Sequence, residues 1–579
     1  MSNSTITSLA SLHSLLDGAL QSDSGTLALD ILETAKQHSN QLGPVIFGLL
    51  IARCIYPVFK RSITFRELGG PKPESVLWGD EALLFRVESS LATHEELLNT
   101  YGSVCKIKGM LGEDRLWIAD PRAMNDIILK AYDSFHEPEP FMAWHRLTTG
   151  NHLLTTHGHK HKMQRKILNP VFTAKHMRNY SDFYYHCPSA SKAQANGGTS
   201  GIVDIHTWMC NVALEMIGQA GMGYSFGVME GAQPAYLKAS HQLFPSMNAL
   251  WFARPFLTTL MKFGSARFRR AVVDRMPVEK VQALKNVADT MDETAVHIYQ
   301  KKKVALANGT LESEIAAGQD IISMLLKQNE VVPPEEQMTE EEIIAHVNLL
   351  VFGGNDTTSS SLGQTFYLLA QHPDVQDRLR EEVREAHRLY GRDLDYDQLN
   401  SLTFLDAVCR ESLRLWSPAQ LSERVACVDY NLPLYHPVKS KDGKTMISNI
   451  HVPKGTHIYL SLGSANRDKQ TWGEDADKFN PYRWLEPLPS SVSESKIPGV
   501  YSNMMTFLGG PRACLGFKFS LAEMKIVLSL LVSRFRFEPG SEDIEWTLSG
   551  ILRPYVRGKD GAVDWARGAT LPMKVTVLE

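Results

Sequence analysis

The chain has 579 residues, 43% of them hydrophobic, and a formal net charge of −4, so it can bury a large core without a strong electrostatic bias. Its basic residues do not gather into stripes interleaved with aromatics, which argues against nucleic acid as a partner. The seven cysteines, Cys54, Cys105, Cys187, Cys210, Cys409, Cys427 and Cys514, are odd in number, scattered and free of Cys-x-x-Cys spacing, which argues against a disulfide framework or a zinc site and for a reducing compartment.

Residues 1–41 are a polar, Ser/Leu-rich extension with no positive side chain before Lys36, which removes a secretory n-region and an Arg-rich transit peptide. Residues 42–61 read as a membrane anchor: Leu42 to Phe59 is apolar except for Arg53, and Lys60-Arg61 closes it on the side expected to stay cytosolic. A span needs about 20 apolar residues, and a central arginine costs about 2.5–3.5 kcal/mol on insertion, so a core helix or an in-plane helix is the competing reading. Residues 62–78, with Gly69-Gly70-Pro71-Lys72-Pro73, read as a stiff hinge. Residues 79–579 carry no long linker or repeat, and are expected to form one large domain, mainly α with small β-sheets.

Within that domain, Tyr101 to Lys108 and Arg115 to Ala119 predict a hairpin, followed by a helix capped by Asp120 and opened by Pro121. His161-Lys162-Met163-Gln164-Arg165 places two donors four residues apart on one helical face, though His157, His159 and His161 also fit a plain basic turn. Residues 187–201 read as a surface loop. From Thr339, a cap followed by three glutamates predicts a long helix that is apolar nearly all round and so crosses the molecular centre. Most of the chain from there to residue 430 reads as helical, with strands returning at 449–461 and 571–578.

Gly353-Gly354-Asn355-Asp356-Thr357-Thr358 interrupts the long helix with poor helix formers. Either the helix opens there for a ligand, with Thr357 free to bond a carbonyl one turn back, or the glycines merely permit a kink. Glu411 and Arg414 lie three apart on a largely apolar helix, as a surface pair or as a buried one that needs further partners. Phe479-Asn480-Pro481-Tyr482-Arg483-Trp484 follows. The last motif, Phe507-Leu508-Gly509-Gly510-Pro511-Arg512-Ala513-Cys514-Leu515-Gly516, is a glycine-rich loop running into a helix, a setting in which backbone amides stabilise a thiolate.

Taken in order, these four motifs resemble those of the cytochrome P-450 family, over roughly residues 70–579. The resemblance implies a haem-thiolate monooxygenase that inserts one oxygen atom of O2 into a lipophilic substrate, with haem b held by Cys514 as its axial metal ligand. It implies a cofactor-binding role for Phe507, Gly510, Arg512 and Gly516 around the cysteine. Haem propionates need cationic or N–H donors, for which Arg512, Arg165, His161, standing where the family usually has tryptophan, and Arg424 are candidates, the last also readable as a surface arginine. Asp356 and Thr357 match the acid–threonine pair that assists proton delivery, and Glu411, Arg414 and Arg483 the structural lock behind the haem loop. The substrate is expected near Met142–Leu154, Phe244–Phe256, Leu350–Phe352, Pro418–Ser422 and Ser549–Leu552. No flavin or iron–sulfur segment is encoded, so electrons are expected from an NADPH-dependent flavoprotein reductase, with Lys518 and Lys525 as docking charges. The resemblance also implies a single-pass protein of the endoplasmic reticulum membrane, and its style is similar to fungal members acting on terpenoids or other secondary metabolites. Two rivals are an isomerase or dehydratase of the same fold that works without O2, and a haem carrier or sensor.

Overall fold

A single helix, Glu340–Gln371, organises the molecule. A computed structural model describes residues 65–75, 78–173, 200–310, 320–391 and 393–578. The extension 1–41, the expected anchor 42–61 and most of the loop 187–201 lie outside them. At the start of the long helix, Thr339 Oγ1 accepts from the Glu342 amide and the Glu342 carboxylate accepts from the Thr339 amide, a reciprocal cap that uses two otherwise orphaned donors. Helices Ile205–Met216, Glu279–Ala307, Thr403–Leu415 and Phe517–Arg534 pack around it, and Ile343, Val347, Val351, Leu362, Phe366 and Leu369 are buried on its several faces.

The expected opening of this helix at Gly353–Thr358 is not there: the backbone stays α-helical from end to end. Two glycines cost about 1 kcal/mol each against alanine, and packing on every side outweighs that.

The predicted hairpin is Val104–Lys108 paired antiparallel with Asp114–Ile118, in the register Val104↔Ile118. It forms the edge of a five-stranded sheet completed by His457–Ser461, Leu421–Ala426 and Phe135–His136, with Asp114–Ile118 parallel to His457–Ser461. The Asp120 carboxylate caps the next helix by accepting from the Ala123 amide at 2.9 Å. Leu421–Ala426 is a strand where helix was expected, because it is enclosed by two sheet neighbours. Three smaller sheets are the hairpin Tyr430–Lys439 with Met446–Val452, the hairpin Ile544–Ser549 with Ile551–Val556, and a three-stranded sheet of Ser200–Asp204, Pro572–Val577 and Phe535–Pro539.

Part of the expected hinge is packed structure. Phe65 and Leu68 are buried, the Gly69 carbonyl accepts from the Lys106 amide, and a Cβ on Gly70 would lie 2.0 Å from the Lys106 carbonyl oxygen. Among the described residues, no helix is long and apolar enough to cross a membrane.

Candidate active site

The cysteine loop is held by its backbone. The Cys514 amide donates to the Phe507 carbonyl at 2.8 Å, closing the loop on itself. Gly510 sits at φ +62°, where a Cβ would also strike the Ile128 carbonyl at 2.7 Å, so only glycine fits there. Gly516 ends the loop as the cap of helix Phe517–Arg534, and its amide hydrogen-bonds the sulfur. The Cys514 side chain is accessible yet enclosed by protein, so its accessible surface faces inward, to an internal cleft. Desolvation pushes the thiol pKa up, against the Gly516 amide and the Arg165 charge, which favour the anion.

The candidate propionate donors come from three elements. Arg165, on the helix Gly158–Leu168, donates to the carbonyl of Ala513, next to the cysteine, at 2.7 Å. Arg512 donates to the carbonyls of Leu153 and Thr156 at 3.1 and 2.8 Å. Arg424 lies buried on strand Leu421–Ala426, not on the surface. His161 is 1% exposed, and neither ring nitrogen has a hydrogen-bond partner. Desolvation first, then Arg512 and Arg165, push its pKa down to about 3, so it is neutral at physiological pH and presents one N–H. Arg512 Nε is likewise buried without a partner. An accessible thiol, three guanidinium groups and an unpaired imidazole N–H fit a haem: Cys514 would hold its iron, and the arginines and His161 would supply donors for its two carboxylates.

On the central helix, the two glycines differ. A Cβ on Gly353 would meet nothing within 4 Å, whereas one on Gly354 would lie 2.7 Å from Ile217 Cγ1. Gly353 therefore leaves room for a ligand, and Gly354 permits helix packing instead. Thr357 Oγ1 donates to the Gly353 carbonyl at 2.7 Å. The next residue, Thr358, reaches Ser520 Oγ at 3.1 Å, which sets this stretch beside the helix that begins just after Cys514. Asp356 is buried and ion-paired with Arg553 at 2.5 Å, and Arg553 also donates to the His241 carbonyl.

Glu411, Arg414 and Arg483 meet in the interior, and the surface reading of this pair does not apply. Glu411 Oε1 accepts from Arg414 Nη2, Arg483 Nε and the Asn480 amide, and its Oε2 from Arg414 Nε and Trp484 Nε1, all within 2.8–3.0 Å. Arg414 Nη1 donates to the carbonyls of Asn466 and Ala476, and its guanidinium lies over the Trp472 ring. Asn466 carries the lock to the cysteine loop: its Oδ1 accepts from the Met505 amide at 2.7 Å and its Nδ2 donates to Thr506 Oγ1 at 2.9 Å.

One expected docking charge is internal. Lys525 has a side chain only 3% exposed and pairs with Asp406 at 2.8 Å and Asn400 at 2.7 Å, so it is not available to a partner surface. Lys518 is half-buried, its ammonium over the Phe517 ring. Sequence reasoning missed Arg553, Asn466 and Glu137. Only Arg553 left a trace, as a lone charge in the apolar run Ile551 to Val556.

A cysteine on a glycine-shaped loop, arginines from three elements gathered near it and a threonine-bearing helix alongside define a haem-thiolate enzyme. The family model described as Cytochrome P450 matches residues 71–558. The chain is 42% identical to a protein named cytochrome P450 monooxygenase 212 from Postia placenta, over 85% of this chain and 91% of that one. It is 38% identical to cytochrome P450 monooxygenase 91 of the same fungus, over 92% and 97%. Ganoderma lucidum has a relative named a ganoderic acid synthetase, 39% identical over 79% and 85%. The chain belongs to the cytochrome P450 family, and it is a haem-thiolate monooxygenase that uses O2, externally supplied electrons and a lipophilic substrate.

Proposed function

We propose that this monooxygenase hydroxylates a terpenoid-like secondary metabolite at the endoplasmic reticulum membrane, with electrons from an NADPH-dependent flavoprotein reductase, and that Asp356 and Thr357 govern its proton supply. The contact between Thr358 and Ser520 carries the reading, since it brings the Gly353–Thr357 stretch beside the helix that starts from the cysteine loop. Bound haem supplies the redox chemistry by which one oxygen atom enters the substrate and the other leaves as water. The chain's part is to hold the thiolate, anchor the propionates and position protons. Thr357 has its hydroxyl on the carbonyl of Gly353, one turn back, where a Cβ would meet open space. A positioned proton donor of this kind is worth about 10²- to 10⁴-fold.

The metabolite class is supported by the Ganoderma lucidum relative and by the apolar aromatic pair Phe244 and Phe352, stacked edge to face at 5.6 Å. Membrane attachment is supported by Trp251, Phe252, Phe256, Leu260 and Phe263, exposed in succession on two neighbouring short helices and the turn after them, and by Trp78, which packs edge to face on Trp251 at 5.3 Å. The segment that follows residues 42–61 thus reaches the same apolar face.

The test is NADPH consumption by the membrane-bound full chain with reductase, O2 and a lipophilic panel, read against product formed. Thr357→Ala is expected to keep haem and substrate binding but to divert electrons to hydrogen peroxide, and Cys514→Ala to abolish the red-shifted CO band of thiolate ligation. Unchanged coupling in Thr357→Ala would remove that residue from the proton path. Deleting residues 1–61 is expected to release most of the protein from membranes. If the truncated chain still pellets in high salt, attachment is through the exposed aromatic face.

A further inference from the structure

Between two of the candidate propionate arginines lies a carboxylate that no motif predicts. Glu137 follows the edge strand Phe135–His136 and is 9% exposed. Its Oε2 stands 2.9 Å from Arg512 Nη2 and its Oε1 3.4 Å from Arg424 Nη2, so one buried acid spans a guanidinium of the cysteine loop and a guanidinium of the central sheet. Among the described residues neither arginine is ion-paired with another carboxylate: Arg424 otherwise meets the Ser422 hydroxyl and the Glu423 carbonyl, while the Glu423 carboxylate is paired with Arg254 and His457. Burial pulls the Arg424 pKa down, as does Arg512, and Glu137 opposes both, so the acid offsets part of the cost of holding Arg424 in the interior beside a second cation.

We propose that Glu137 is a positioning residue of the haem site that fixes the charge balance around the cofactor and thereby lowers the reduction potential of its iron. Arg424 and Arg512, whose side chains are 4% and 6% exposed, and the half-buried Arg165 bring three positive charges and Glu137 one negative, leaving a surplus of two. A haem brings two propionates, which match that surplus, while His161 stays neutral and adds an N–H without a charge. Without Glu137 the cluster keeps one uncompensated positive charge. Reduction adds an electron to the iron, so a surplus positive charge nearby favours the ferrous form, and the carboxylate favours the ferric one.

The experiment is a dye-mediated spectroelectrochemical titration of the haem-loaded full chain in detergent, for the parent, Glu137→Gln, Glu137→Asp and Arg424→Gln, each checked for the thiolate CO band. Glu137→Gln is expected to move the ferric/ferrous midpoint to more positive potential, Arg424→Gln to more negative, and Glu137→Asp to stay near the parent. A midpoint in Glu137→Gln that equals the parent's, or lies below it, with the CO band intact, overturns the proposal. Should Glu137→Gln fail to retain haem, the double variant Glu137→Gln/Arg424→Gln removes one charge of each sign and is expected to retain it. A double variant as poor as Glu137→Gln, beside an Arg424→Gln that holds haem normally, overturns the proposal as well. The CO band of the parent reports the thiolate separately, so failure of the family reading and failure of this inference are distinguishable.

Discussion

Arg553 and Asp356 lie 197 residues apart in the chain and close a 2.5 Å ion pair in which neither side chain is more than 5% exposed. Asp356, on the central helix, is therefore mounted by the hairpin Ile544–Val556, not left free beside Thr357. A second donor, Asn355 Nδ2, reaches the other Asp356 oxygen at 3.3 Å.

Arg553→Gln is expected to destabilise the protein by about 3–5 kcal/mol, because it leaves a buried carboxylate uncompensated. The replacement that removes both charges, Arg553→Gln with Asp356→Asn, recovers much of that stability but not the coupling of NADPH use to product. Urea midpoints and peroxide yield, measured on the same preparations, separate the two effects. Equal peroxide yield in parent and double variant would disconnect the pair from catalysis.

Replacing Glu411 with alanine removes the acceptor of five hydrogen bonds and leaves the buried Arg414 without its carboxylate and Arg483 with Asp475 alone. A loss of about 3–5 kcal/mol is expected, with protein that accumulates without haem. Trp484→Phe removes one bond of the five, and about 1–3 kcal/mol. The check is the ratio of haem absorbance to total protein, with chemical denaturation of whatever folds.

The two helix glycines predict opposite outcomes. Gly353→Ala adds a methyl to open space and gains up to about 1 kcal/mol of helix propensity, yet intrudes beside Thr357, so thermal stability rises while the substrate-induced spectral shift weakens. Gly354→Ala drives its methyl into Ile217 and costs about 1–3 kcal/mol. Adding Ile217→Ala restores it. A stabilised Gly354→Ala would show the packing argument to be mistaken.

Glu523 is fully buried on the helix after the cysteine, with neither carboxyl oxygen hydrogen-bonded; the nearby Thr358 hydroxyl engages Ser520 instead. Desolvation raises its pKa well above the ordinary glutamate value. The folded state therefore holds a proton that the unfolded chain gives up, and stability from this group falls as pH rises from the ordinary glutamate pKa toward the raised one. The slope is about 1.4 kcal/mol per pH unit. Glu523→Gln should lack that slope and be the more stable protein near pH 8. Parallel pH profiles for parent and variant would refute the assignment.

What could be read from the chain alone follows from how local the cause is. The Asp120 cap, the Thr339 start and the hairpin at 104–118 depend on residues within a few positions of one another, and the structure has them as expected. The cysteine loop is equally local, since Gly510 and Gly516 act on the backbone they belong to. Strand Leu421–Ala426 was hidden because its conformation is imposed by His457–Ser461 and Phe135–His136, both distant in sequence. Lys525 looked like a surface charge because nothing adjacent announces Asp406, more than a hundred residues earlier. Glu137 and Arg553 escaped for the same reason: each is defined by partners that the fold, not the sequence order, supplies.

The hairpin Ile544–Ser549 with Ile551–Val556 turns at Gly550, under the ring of Phe244, where a Cβ would come within 2.4 Å. Its tip thus belongs to the wall expected to meet substrate, and Arg553 sits two residues from Ile551. Laboratory evolution aimed at Ile551 or Leu552 for a new product will shift the mounting of Asp356 at the same time. Variants selected there for altered regiochemistry should be screened for wasted reductant from the first round, and so should libraries at Phe244, which packs on Gly550 and shares a helix with His241, whose carbonyl also holds Arg553.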